Sequence, residues 1–403
     1  MLGSQTSESW SSQLVVNSSM TATEFESALD RALSKGERPL LRLPTEWDLA
    51  KGPGGAARAA QLVATWARNV SKPDLAIYAT GADDVVAIDR FVKQLHGLSG
   101  AMLASRILAN DGRTEITREV NASAKSRVDA MNSLDIRGLQ RGQAIDLVCV
   151  DPSSLARLRP FYYPTGEDSF RSPAEFESLV WDLIRESSHS YASSMATVVK
   201  DLAEALRELF VNTHIHARRD AEGVRYRRGV RGVIVAQRNV KRQIIAQFSM
   251  GLPPLVSYLA ALTHVERRDT LKMIELTVFD SGPGLAARIN EASLPEGMSI
   301  EIEHRLVEKC FLKNATSVGR PGYGLGLTRV LHMLKERSGF LFLRTGRLTL
   351  FRAFPPGGYS PQEIVLEKSD FELERLQDVG GEAQRQVSGA VITLLLPVGI
   401  AFE

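Results

Sequence analysis

The chain has 403 residues, 44% hydrophobic and 24% charged, and its 49 basic residues against 47 acidic ones leave a formal net charge of +2. This composition excludes a largely disordered chain, and the near-neutral balance leaves any contact with nucleic acid or membrane to local clusters. Two cysteines, Cys149 and Cys310, exclude a disulfide framework and a zinc site built on four thiolates.

The first residues lack a basic region followed by an apolar run, and no apolar stretch reaches the roughly 18 residues of a membrane span. The expected location is therefore cytoplasmic. At roughly 100–200 residues per domain, the length suits two or three domains. Residues 1–22 are rich in Ser and Thr and read as an arm. From 23 to 170, short apolar runs alternate with helical patterns: strands at 39–44, 75–79 and 144–150, helices at 56–69 and 84–95. That alternation predicts a smaller α/β domain of unknown role. Gly52-Pro53-Gly54-Gly55 lacks the Lys-Ser/Thr of a phosphate loop and reads as a plain connection. The Pro- and Gly-containing stretch 160–173 reads as a linker. Helices follow at 174–188 and 190–217. Strands are expected at 230–237, 243–248, 273–279, 340–343, 348–351 and 390–396, with a helix at 324–337. The second half thus reads as helices on a mostly antiparallel sheet, and the whole as α+β.

Three short motifs carry chemistry. On a helix, Glu208 and Asn212 lie one turn apart, with His216 one turn further. An amide oxygen can hold a hard cation and a carboxylate can orient a water, although a solvated polar stripe has the same pattern. After an apolar strand comes Asp280-Ser-Gly282-Pro-Gly284. The carboxylate can accept from an exocyclic amine, and the glycines allow close backbone approach; an ordinary Asp–Gly turn looks the same. Last, Gly322-Tyr323-Gly324-Leu325-Gly326 opens a helix, whose free N–H groups can bind an anion.

In this order the three motifs resemble the N, G1 and G2 boxes of the GHKL ATPase superfamily, named for gyrase, the ninety-kilodalton heat-shock chaperones, histidine kinases and MutL. The resemblance covers about residues 180–400. The segment Gly389-Ala-Val-Ile-Thr393-Leu-Leu-Leu-Pro397 is similar to the closing strand of the kinase branch. The resemblance implies a Bergerat-type α/β sandwich over 174–403 that binds ATP and Mg²⁺. Asn212 would hold the metal and Glu208 would be the general base. Asp280 would meet the adenine amino group, with Gly282 and Gly284 bordering the base. Gly322, Tyr323, Gly324, Leu325 and Gly326 would cradle phosphates, and Thr393 would add a hydrogen bond near the adenine. Residues 290–321 would form a lid, from which Lys313 or Arg320 would reach phosphates. Two positions depart from the kinase branch: Thr213 replaces its usual Ala, and Ile215 stands where it often has a phosphate-facing Lys. Charge compensation would then fall to His216 or Arg320. A longer interval between Asn212 and Asp280 suggests an insertion around 253–270.

His214 and His216 point to different sides of a helix and make a poor metal pair. The arginines of 217–242 suit nucleic acid or an acidic partner, or else a charge-protected sheet edge. His189 lacks the surroundings of a phosphoacceptor. The first expectation is a slow ATPase switch acting on a protein partner or a second copy of the chain. The alternatives are a histidine- or serine-directed kinase and a non-catalytic nucleotide scaffold.

Overall fold

The computed structural model describes residues 10–78, 84–151, 157–164, 169–187, 198–249, 252–266, 269–311, 326–356, 373–375 and 384–399. Two sheets organise them. The first has strands β1 (Ser12–Val15), β2 (Pro39–Pro44), β3 (Asp74–Tyr78) and β4 (Arg106–Leu108), all parallel and in chain order. Right-handed crossovers between strands in that order place the connecting helices on one face. These are α1 (Ala22–Ser34), α2 (Gly55–Asn69), α3 (Asp84–Lys93) and α4 (Leu95–Leu103). Leu41, Leu43, Leu75, Ile77 and Ile107 join the main core on that side. The alternating Leu40, Ala76 and Leu108 form a small cluster with Trp10 on the other.

Two expectations change here. Residues 12–15 are a strand rather than part of an arm, because β2 offers them a parallel partner; residues 1–9 lie outside the described set. The helical stretch at 84–95 is two helices that break at Gln94, whose backbone is extended.

α5 (Thr117–Ser133) and α6 (Ile136–Leu139) lead to the second sheet. It has seven antiparallel strands in the order β10-β9-β8-β11-β7-β6-β5. The strands are β5 (Ala144–Asp151), β6 (Gly229–Lys241), β7 (Thr270–Asp280), β8 (Phe340–Gly346), β9 (Leu348–Ala353), β10 (Glu374–Arg375) and β11 (Val387–Pro397). The edge strand β5 thus comes from the segment read as the N-terminal domain.

One face of this sheet carries α7 (Pro173–Ser187), α8 (Val199–His216) and α13 (Gly326–Glu336). The other carries α2 and α10 (Pro253–Glu266), the helix at the expected insertion, whose Tyr258 donates to Ser338 O at 2.7 Å. The stretch 243–248, expected as a strand, is instead a 3-10 turn followed by the short helix α9 (Ile245–Phe248). Short apolar runs do not distinguish strand from helix by themselves.

The stretch at 160–173 is no plain linker where it is described. Phe161 and Tyr162 are fully buried, and the Phe161 ring stacks on Phe210 of α8 with centroids 4.0 Å apart. The Gly52–Gly55 connection meets a specific partner. Gly54, at φ +65°, donates its N–H at 2.9 Å to the buried carboxylate of Glu275 in β7. That carboxylate satisfies the start of α2, where an external anion would otherwise be favoured.

Candidate functional site

α8 contains no Gly or Pro, and Leu202, Leu206, Leu209 and Phe210 bury its apolar stripe. Each such side chain contributes roughly 1.5–3 kcal/mol when removed from water. Glu208 and Asn212 lie half-buried on the remaining flank. The rotation of the helix is set by polar contacts as well. His214 Nδ1 meets the Tyr162 hydroxyl at 3.0 Å, and its Nε2 meets Arg218 at 3.1 Å. Tyr162 accepts from Arg231 of β6 at 2.9 Å. Asp151 accepts from both arginines, at 3.1 Å each. Arg231 is 2% exposed and lies over the Phe210 ring. His214 is thus a core residue tying α8 to the sheet. Among the described residues there is no group of three or more metal-ligating side chains of the His, Cys, Asp or Glu type.

α13 runs antiparallel to α8. Arg337, just beyond α13, pairs with Asp201 near the start of α8 at 2.7 Å. Glu208 and Arg329 line one cavity of about 410 Å³, together with Asp201, Glu204, His332 and Glu336. At 1.5 Å rise per residue, Asn212 lies about 6 Å beyond Glu208, toward the end where α13 begins. Gly326 is the first residue of that helix. Arg320, Gly322, Tyr323, Gly324 and Leu325, and Lys313, lie outside the described residues. Burial pushes the Glu208 carboxyl above its ordinary value; Arg207 and Arg329 oppose this, and Glu204 adds to it.

Asp280 ends β7 opposite Arg231, on the α8 side of the sheet. Burial pushes its carboxyl up to about 6, against the N–H groups of Gly282 and Ala390 and the charges of Arg231 and Arg68. Gly282 donates to Oδ1 at 2.8 Å. A side chain at 282 would stand 2.6 Å from the Ala217 backbone, so the turn packs directly on the end of α8. Gly284 has φ +91°, and a Cβ there would stand 3.1 Å from Thr345 Oγ1. Both glycines therefore have a reason within the protein itself, whatever borders them.

Two of the expected residues are engaged by partners within the protein. Thr393 pairs with Thr277 on the α2 face of the sheet. It meets Thr277 Oγ1 at 3.0 Å, and a Cβ at Gly54 would crowd its hydroxyl. It is 1% exposed and stands across the sheet from Glu208 and Asn212. His216 accepts from Arg288 Nε at 2.9 Å, and burial and that guanidinium push its pKa down to about 4. That environment favours the neutral ring, and Arg288, in α11 (Leu285–Asn290), is the cation beside it.

The described part of the expected lid is docked. Glu303 of α12 (Ile300–Lys309) is fully buried and accepts from Arg347 N at 2.8 Å and Arg347 Nε at 2.7 Å. His304 meets Leu373 O at 2.8 Å. The basic segment 217–242 does not form one patch. Arg218, Arg231 and Arg238 are paired with Asp151, Asp151 and Glu275. Exposed Arg225 and Arg227 precede β6, whereas Lys241 and Arg242 stand at its far end. A 13-residue strand separates them by roughly 40 Å.

Sequence reasoning missed Arg68, which reaches the Asp280 turn from α2. It donates to Ser281 O at 3.2 Å and lies 3.6 Å over the Tyr226 ring. A comparison with protein-family models, curated proteins and solved structures finds no match for this chain. Among the described residues no helix is long and apolar enough to cross a membrane.

Proposed function

We propose that the seven-stranded sheet and its helices, drawn mainly from residues 174–403 and completed by β5, form a Bergerat-type ATP-binding unit of the GHKL kind, and that the chain is a slow, Mg²⁺-dependent ATPase acting as a conformational switch. The observation that carries this reading is a convergence on one face of the seven-stranded sheet. Glu208 and Asn212 lie on α8, α13 packs along the same helix, and the Asp280 turn packs on Ala217 at its end.

The donor set suits the ligand. Asp280 is an acceptor above about pH 6 and can take a hydrogen bond from an exocyclic amine. The start of α13 presents N–H groups to an anion. Asn212 would offer one amide oxygen to a divalent cation. Glu208, with a carboxyl raised by burial, can hold a water and accept its proton. When bound, Mg·ATP would supply a γ-phosphoryl group to that water, the bond to the β-phosphate oxygen breaking and ADP leaving. The cavity beside Glu208 also carries Asp201, Glu204, Glu336 and Arg329, and Asp201 is paired with Arg337. The phosphates fit best at the Asn212 end, beside the start of α13, where a helix offers N–H groups.

The test is the fate of γ-labelled phosphate after incubation with Mg·ATP. Free phosphate that disappears in Glu208→Ala supports the reading. Label on the protein replaces the ATPase with a kinase. Label left in ATP that is bound equally by wild type and Asp280→Ala removes the site altogether.

A further inference from the structure

Three polar residues lie on an otherwise apolar face of α2: Gln61, Thr65 and Arg68, at helical positions i, i+4 and i+7. Gln61 is 1% exposed and Thr65 is 4% exposed. Such burial is costly unless each group finds a partner. Their partners are backbone groups at an irregularity in β11. The pairing of β11 with β8 slips between Val387 and Ala390, and Gly389 takes φ +72°. A bulge of this kind leaves ladder groups without strand partners. Thr65 Oγ1 accepts from Ser388 N at 3.0 Å. Gln61 Nε2 donates to Arg344 O at 3.1 Å and to Gly389 O at 3.4 Å.

The bulge in turn shapes the Asp280 turn. Gly389 donates to Gly282 O at 2.6 Å, and the N–H of Ala390 reaches the Asp280 carboxyl. No side chain fits at 389, because a Cβ would lie 1.9 Å from Asp280 O. On the other side of Asp280, Arg68 holds Ser281 through Nε at 3.3 Å and Nη2 at 3.2 Å. Ser281 Oγ is itself fixed by Val230 N at 2.9 Å.

We propose that α2 is a brace for the Asp280 turn, and that through Gln61, Thr65 and Arg68 the N-terminal α/β unit sets the affinity of that turn for nucleotide. The nucleotide half of this statement rests on the function proposed above. α2 is the crossover between β2 and β3, so a partner that shifts the first sheet shifts the stripe that holds Asp280. None of the three residues touches the reacting atoms. They are positioning residues, and their effect belongs in binding rather than in turnover.

The test uses the full chain with Arg68→Ala and Thr65→Val; the second is close to isosteric and keeps the fold if the first does not. Hydrogen exchange of peptides spanning 280–286 and 386–391 is read beside the affinity for Mg·ATP and the turnover at saturation. The expected result is faster exchange in both peptides, with α10 unchanged. ATP affinity falls about 10-fold in Arg68→Ala, the weight of one charge-assisted hydrogen bond, and by about 2- to 10-fold in Thr65→Val, which loses a neutral one, while saturated turnover is kept. Wild-type ATP affinity in both variants overturns the proposal. If wild type itself binds no ATP, the functional reading fails, and exchange alone decides the brace: unchanged exchange at 280–286 and 386–391 overturns it.

Discussion

Replacing Asp280 by Asn should stabilise the protein at neutral pH and weaken it as a nucleotide site. The carboxyl rises from its ordinary 3.8 to about 6, with burial the largest cause. Between these two values the folded chain holds a proton that the unfolded chain releases. Stability therefore falls as pH rises from about 4 to 6 and stays lowered above that window. At 1.36 kcal/mol per pKa unit the interval is worth about 3 kcal/mol. The charges of Arg231 and Arg68 are already included in that value; the Asp280 residue keeps some exposure to solvent, and screening there reduces the figure to about 1–2 kcal/mol. Asn keeps an oxygen to accept the Gly282 N–H, so the turn survives the change. The assay is urea unfolding of wild type and Asp280→Asn at pH 4.5, 6 and 7.5. His216, whose lowered pKa favours the folded state as pH rises through roughly 4 to 6.5, is common to both proteins and cancels in the difference. The variant should gain stability over wild type between pH 4.5 and 7.5. A difference that does not change with pH, or that grows toward acid, refutes the argument.

Two further outcomes follow from buried polar contacts. Tyr162→Phe removes an acceptor from buried Arg231 and a hydrogen bond from His214. It should cost about 1–3 kcal/mol in urea unfolding, and wild-type stability would show that the network does not orient α8. Glu303→Ala leaves Arg347 N and Nε without their buried acceptor. It should cost about 3 kcal/mol and speed proteolysis within 291–311, whereas an unchanged cleavage pattern would mean that α12 is held by other contacts.

The site was legible in sequence where spacing alone decides geometry. Glu208 and Asn212 share a helix flank because 3.6 residues make a turn, and Asp280 sits at a strand end because a glycine-containing turn follows it. The face on which Thr393 stands is not legible in the same way. Strand residues alternate between faces, and which parity faces α8 depends on the register between β11 and β7. That register pairs Thr393 with Thr277 and sets Thr393 beside Gly54, a residue some 340 positions away in sequence. His216 was judged by its type; its neutral state follows from burial and from Arg288, which no local pattern reveals. The polar stripe on α2 did carry a signal: Gln61, Thr65 and Arg68 interrupt an Ala-rich apolar face at helical spacing. Its meaning needed the β-bulge at 387–390.

The boundary read at 160–173 shows how composition and packing diverge. Proline and glycine there suggested a connection between domains, yet Phe161 and Tyr162 fill the space between α7, α8 and the sheet. β5, from before that stretch, completes the sheet built from strands after it, with Asp151 as the shared carboxylate for Arg218 and Arg231. α2, from earlier still, packs between the parallel sheet and the far face of the antiparallel one. An amphipathic helix between two independent domains needs one apolar stripe; a helix serving two sheets must be apolar on most of its circumference. α2 meets that requirement, with ten consecutive or near-consecutive buried residues from Gly55 to Trp66. Two separable domains would leave this helix with an exposed apolar face, so cutting the chain at 170 should expose both β6 and α2 and yield fragments that aggregate rather than fold.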